Sequence, residues 1–172
     1  PSPHLLEDEH AEALLSPRHA AVIDTLGDDA HWVLHENRLF VPLRARWVED
    51  ELALAYANTG VRHYVILGAG LDSFAFRRPD EMADLEVIEV DHPATHRFKR
   101  ARLDELGWKL PDGVRLLECD FERSRVSDVL TAAGFEAGTP AFVSWMGVIY
   151  YLERATAREA LAELAGLLGR GS

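Results

Sequence analysis

The run Tyr64-Val65-Ile66-Leu67-Gly68-Ala69-Gly70-Leu71-Asp72-Ser73, with Asp91 twenty-one positions after Gly70 at the end of Val87-Ile88-Glu89-Val90-Asp91, has the residue types and spacing of a nucleoside site. A β-rich apolar run opens into a two-glycine turn, and an acid closes the next apolar run, about 20 residues on, where a ribose is expected. Gly68, Ala69 and Gly70 let a ligand approach the backbone, because glycine takes positive φ without strain. The Asp91 carboxylate can accept from both ribose hydroxyls, and Glu89, two residues back on the same side of a strand, is a second acid in reserve. A tight strand-to-helix turn that binds nothing is the plainer reading of the two glycines. Asp72 reads first as a helix cap. A dinucleotide fingerprint needs a third glycine at 73, where Ser73 stands, so the turn suits S-adenosylmethionine better than NAD.

Other chemistry-bearing residues are weaker signals. His31 and His35 share a helix face at i, i+4, but the zinc-helix motif needs Glu after the first histidine and Trp32 is there, so no metal is expected. His92 and His96 flank the expected pocket and read as capping or packing residues ahead of a general base. No catalytic residue can be assigned.

Four segments in order, Leu67-Gly68-Ala69-Gly70-Leu71-Asp72-Ser73-Phe74-Ala75-Phe76-Arg77, Glu89-Val90-Asp91-His92-Pro93, Cys119-Asp120-Phe121 and Trp145-Met146-Gly147-Val148-Ile149-Tyr150-Tyr151-Leu152, resemble the leucine carboxyl methyltransferase family. That family comprises class I S-adenosylmethionine-dependent O-methyltransferases, and the resemblance runs from about Arg44 to the C-terminus. It implies that Asp120 receives the adenine amine while Phe121, where the family usually has Leu, offers backbone N–H and an apolar wall. A helix cap and a core aromatic are the alternatives for this pair. It also implies that Arg44 or Arg46 grips the cofactor's methionine carboxylate, the alternative for each being a surface ion pair with Glu49 or Asp50. Met146 stands where many relatives carry a cofactor-contacting Glu, leaving backbone and packing contacts there. Tyr150 and Tyr151 follow the fourth strand and are read as lining the substrate mouth or closing the core.

The elements that must position these residues follow from the apolar pattern. Residues 64–67, 86–90, 114–118 and 140–144 read as strands, alternating with helices from about 72, at 93–106, at 124–133 and at 155–168. Such alternation predicts an α/β, Rossmann-like parallel sheet with helices on both faces and ligands at the carboxyl ends of the strands. Ahead of it, 1–60 reads as a helical cap: Leu5-Leu6, Ala13 to Leu15, Ala20 to Leu26 ending at Gly27, Trp32 to Leu39, and Leu43 to Ala57. Residues 61–172 then form the S-adenosylmethionine-binding domain. A class I methyltransferase sheet normally has seven strands and four are found, so the last strands are expected from further chain or, less simply, from a partner subunit in a homo-oligomer.

Composition bounds the partners. The 172 residues carry a net charge of −11, which disfavours nucleic acid and anionic membranes and favours a small-molecule methyl acceptor. One cysteine excludes an internal disulfide framework, and no long apolar run or basic-then-apolar leader is seen, so a cytoplasmic protein is expected. Two rival classes are an NAD-type oxidoreductase and a catalytically silent relative that binds cofactor or a partner.

Overall fold

The apolar runs become a parallel sheet because each is followed by a segment long enough to cross back over it. The computed structural model describes residues 6–25 and 31–169. Helices α1 (His10–Leu14), α2 (Pro17–Thr25) and α3 (His31–Thr59) precede β1 (His63–Leu67). Then come α4 (Phe74–Arg77), β2 (Glu86–Asp91), α5 (Pro93–Leu106), β3 (Val114–Glu118), α6 (Val126–Ala132), β4 (Phe142–Ser144) and α7 (Arg154–Leu167). The strands pair in parallel in the order β3-β2-β1-β4. Helices cover both faces of a parallel sheet, and β1 and β2 are accordingly buried at every position after their first residue.

Alternate residues of the strands feed two cores. Val65, Leu67, Ile88 and Val90 pack with Leu130 of α6 and Leu164 and Leu167 of α7. Tyr64, Ile66 and Val87 pack on the other face with Val48 and Leu52 of α3, Phe74 of α4 and Met82. Tyr64 and Ser144, fully or nearly buried, pair hydroxyl to hydroxyl at 2.9 Å and so join β1 to β4 inside this second core.

Three expectations are corrected. The segments 32–39 and 43–57 form one helix, α3, which runs through Pro42: a proline removes one intrahelical bond without ending a helix whose neighbouring bonds persist. The helix expected from about 72 is only the four residues of α4, because Arg78 precedes Pro79 and is held extended at ψ 127°. β4 begins at Phe142, since Pro140 has no N–H to give a ladder. Leu5, Leu26, Gly27 and residues 170–172 lie outside the described residues, as do the side chains of Ala20, His31 and His35.

The first segment is seated on α4 and α5. Asp8 Oδ1 accepts from the backbone of His10 and Ala11 at 3.1 and 3.0 Å, opening α1, while its Oδ2 accepts from Ser73 Oγ at 2.5 Å. Arg102 of α5 donates to the Ala13 carbonyl, and the His10 ring sits against Phe76 and Trp108.

Leu130 is fully buried on α6 in the first core and is not among the residues of the glycine turn. Leu130→Ala should cost about 2 to 5 kcal/mol, seen as a lower urea midpoint at unchanged slope.

Candidate functional site

The turn after β1 is set by β2. Gly68 donates its N–H to the Val90 carbonyl at 2.7 Å, and Gly70 donates its N–H to Asp91 Oδ2 at 2.5 Å. The other oxygen of Asp91 accepts from the backbone N–H of His92 at 2.6 Å. Each carboxylate oxygen therefore holds one backbone donor and keeps a lone pair for a ligand hydroxyl. Asp72 lies one residue before Ser73, the N-cap of α4, and accepts from the Phe74 N–H at 2.8 Å, so it serves the helix start from outside the cap position expected for it.

The two glycines serve different ends. At Gly68 (φ 65°) an added Cβ would stand 2.2 Å from Val148 Cγ2, so the loop after β4 packs directly on this turn. At Gly70 (φ 58°) an added Cβ would meet nothing within 4 Å; it would enter open space beside the Asp91 carboxylate. Ala69 is buried in the core shared with α3.

The loop after β4 also meets the cation expected from α3. Arg44 shares a helix face with the core residues Val48 and Leu52 one and two turns on. Its two terminal guanidinium nitrogens lie 3.2 and 3.3 Å from where a Cβ on Gly147 would be, with Tyr150 Oη 3.5 Å from the same point. Its Nε is buried with no hydrogen-bond partner among the described residues. Arg46 points elsewhere: it pairs with Asp50 at 2.8 Å on an exposed face, the ion-pair alternative left open for it. Met146 is half-buried against the Val48–Leu52 core, so its side chain packs in the protein. Tyr150 and Tyr151 stand 67% and 76% exposed with their rings 4.6 Å apart, and neither belongs to the two cores described above.

Asp120, just past β3, sits at the same edge. Its Oδ1 accepts from the Glu122 N–H at 3.1 Å, and its Oδ2 lies 3.8 Å from His92 Nε2. The Phe121 ring packs on Trp145, 5.6 Å between centroids, at the rim of the first core. Cys119 is buried, and burial, with Asp120 and Glu163 nearby, pushes its thiol up to about 11, so it offers no thiolate at neutral pH.

Two residues weighed for this edge prove to be interior. Glu89 does not face the site: it is wholly buried and paired with the equally buried Lys99, Nζ to Oε2 at 2.5 Å. Burial pushes its carboxyl up while Lys99 draws it back. His96 is fully buried, and neither ring nitrogen has a partner among the described residues, so it cannot act as a base on a ligand. Lys99 was not singled out from the sequence, and Gly147 and Val148 entered only as members of the Trp145–Leu152 segment. Lys99 left a trace, being a lysine on the inward stripe of α5 with His96 and Leu103.

Residues 1–165 match the leucine carboxyl methyltransferase family. The chain belongs to this family. A relative in Bacillus subtilis, named "Putative S-adenosyl-L-methionine-dependent methyltransferase YktD", is 38% identical over 113 residues, covering 66% of this chain and 37% of its own length. A Mycolicibacterium smegmatis protein of the same name, without the suffix, is 33% identical over 174 residues, covering 95% of this chain and 53% of its own. The chain thus spans about half the length, or less, of these relatives. Among solved structures, the mitomycin 7-O-methyltransferase MmcR aligns with 83% of this chain and 39% of its own at 18% identity and a TM-score of 0.48.

In this family member the two glycines should separate by experiment. Gly70→Ala meets no atom and should cost about 1 to 2 kcal/mol for the left-handed backbone alone. Gly68→Ala adds the collision with Val148 and should lower the urea midpoint clearly further. His96 gives a pH test. Burial lowers its pKa, Lys99 and Arg100 lower it further, and Asp91 and Glu118 oppose them. The unfolded chain thus binds a proton the folded chain refuses, so the His96 contribution to stability is lost as pH drops below about 6.5, while the raised carboxyl of Glu89 works in the opposite sense. The urea midpoint of His96→Leu should therefore gain on that of the unaltered protein between about pH 7 and pH 5.

Proposed function

We propose that this chain binds S-adenosylmethionine at the carboxyl edge of its sheet and transfers the methyl group to an oxygen of a small molecule. The observation that carries the reading is the open space at Gly70, bounded by a carboxylate whose oxygens each keep a free lone pair. The buried Nε of Arg44, without a partner among the described residues, supports it, because such a donor calls for an acceptor such as the carboxylate of the cofactor's methionine end. Asp91 would hold the ribose hydroxyls, Asp120 the adenine amine, and Phe121 the apolar side of the adenine.

The cofactor supplies an electrophilic methyl on a sulfonium. The protein's part is to orient and to exclude water: Val148 closes the loop over Gly68, and Tyr150, near Arg44 and Gly147, with Tyr151 stacked beside it, presents apolar rings with polar tips to an acceptor. A carboxylate acceptor needs no base at neutral pH, in keeping with a site where Cys119 and His96 are both withdrawn into the core. An oxidoreductase using NAD is disfavoured, since α4 has four residues and offers little helix dipole for a pyrophosphate. The acidic balance of the chain favours a small acceptor over nucleic acid, and a single buried cysteine suits a reducing cytoplasm. Among the described residues no helix is long and apolar enough to cross a membrane.

Calorimetric titration with S-adenosylhomocysteine tests the cofactor. The protein should bind it, and Asp91→Ala should weaken binding by about 1.5 to 3 kcal/mol; unchanged affinity in a folded variant removes Asp91 from the site. Labelled S-adenosylmethionine offered with separate pools of small acids, phenols, protein and RNA tests the acceptor. Base-labile label in the acid pool is expected for a carboxylate and stable label in the phenol pool for a hydroxyl, whereas label confined to protein or RNA sinks the small-molecule assignment.

A further inference from the structure

We infer that Lys99 is a positioning residue: without touching a ligand, it fixes the loop between Gly70 and Phe74 in the shape that receives the cofactor. The inference rests on the reading of that loop as the cofactor loop. Lys99 is fully buried on α5, and its ammonium has two partners, Glu89 Oε2 at 2.5 Å and the Asp72 carbonyl at 2.6 Å. A buried ion pair is a poor way to stabilise a core, because desolvating two charges consumes most of what their attraction returns, and apolar residues of similar volume commonly serve as well. The pair is also incompletely satisfied, as Glu89 Oε1 has no partner among the described residues. What apolar replacements would not supply is the donor to the Asp72 carbonyl.

Asp72 is bonded through every polar group it has. Its N–H donates to the Ala69 carbonyl at 2.8 Å, its carboxylate accepts from Phe74 N–H at 2.8 Å, and its carbonyl accepts from Lys99. Two residues earlier, Gly70 N–H is held by Asp91. The loop is therefore tied to β2 twice, directly by Asp91 and through Lys99 by Glu89. Loss of the second tie leaves the Asp72 carbonyl facing the interior unbonded, and a peptide with glycine two residues away can rotate to relieve it.

The double variant Lys99→Met/Glu89→Leu separates positioning from bulk stability. Its melting temperature should equal or exceed that of the unaltered protein. Amide hydrogen exchange at Gly70 to Phe74, read with no ligand present, should rise by about tenfold or more while β2 is unchanged, and the Kd for S-adenosylhomocysteine should rise by a similar factor. Leu130→Ala is the control: a lower melting temperature with loop exchange relative to β2, and Kd, unchanged. Wild-type exchange in the loop of the folded double variant overturns the inference, and so does a wild-type Kd. If the double variant does not fold, Lys99→Met/Glu89→Gln keeps the shape of position 89 without its charge and is read the same way. Should the unaltered protein not bind S-adenosylhomocysteine, the cofactor reading fails separately, and loop exchange alone judges the role of Lys99.

Discussion

Two carboxylates in one buried parallel strand are the constraint from which the rest of the carboxyl edge follows. β2 lies between β1 and β3, and five of its six residues are buried, Glu89 and Asp91 among them. Charges in such a place must be bonded or the strand would not stay there. Both find their partners in the same direction, Asp91 in the Gly70 N–H and Glu89 in Lys99, which itself reaches Asp72. The turn after β1 is thus shaped by its neighbour strand more than by its own residues.

The remaining parts come to that turn by rigid elements. α3 is anchored by Val48 and Leu52, and Arg44, one turn earlier on the same face, is carried past the core to the edge of the sheet. The ladder of β4 on β1 brings Gly147, Val148 and Tyr150 to the same place, where Val148 fills the space a side chain at 68 would need. Chemistry at this edge is a product of packing, and the glycine at 68 is required by protein before any ligand is considered.

Much of this was legible where local signals were strong. α5 and β3 occupy the spans expected of them because Pro93 at the first helical position and Gly107, left-handed just past the last, mark the helix at both ends. That Asp91 lies beside the glycine turn was likewise readable from spacing, whereas its bond to the Gly70 N–H was not. Other features had no local signal. That Gly68 is pressed by Val148 depends on a strand pairing across most of the chain, and α3 runs on through Pro42 although proline usually punctuates. The choice between Arg44 and Arg46 was open to a test of helix face, since only Arg44 falls in step with Val48 and Leu52. Glu89 in an apolar strand and Lys99 on an apolar helix stripe were each anomalous alone, and only the fold shows that each answers the other.

The hydroxyl pair Tyr64–Ser144 closes a loop of eighty residues, against some twenty for the register of β1 on β2. Loop-closure entropy grows only with the logarithm of length, so this longer closure costs roughly 1 kcal/mol more. Opening the β1·β4 ladder accordingly returns more chain entropy than opening either of the other two, and it takes Gly147, Val148 and Tyr150 with it. A ligand bridging the glycine turn and the segment after β4 would therefore clasp the widest of the loops closed by the three described ladders.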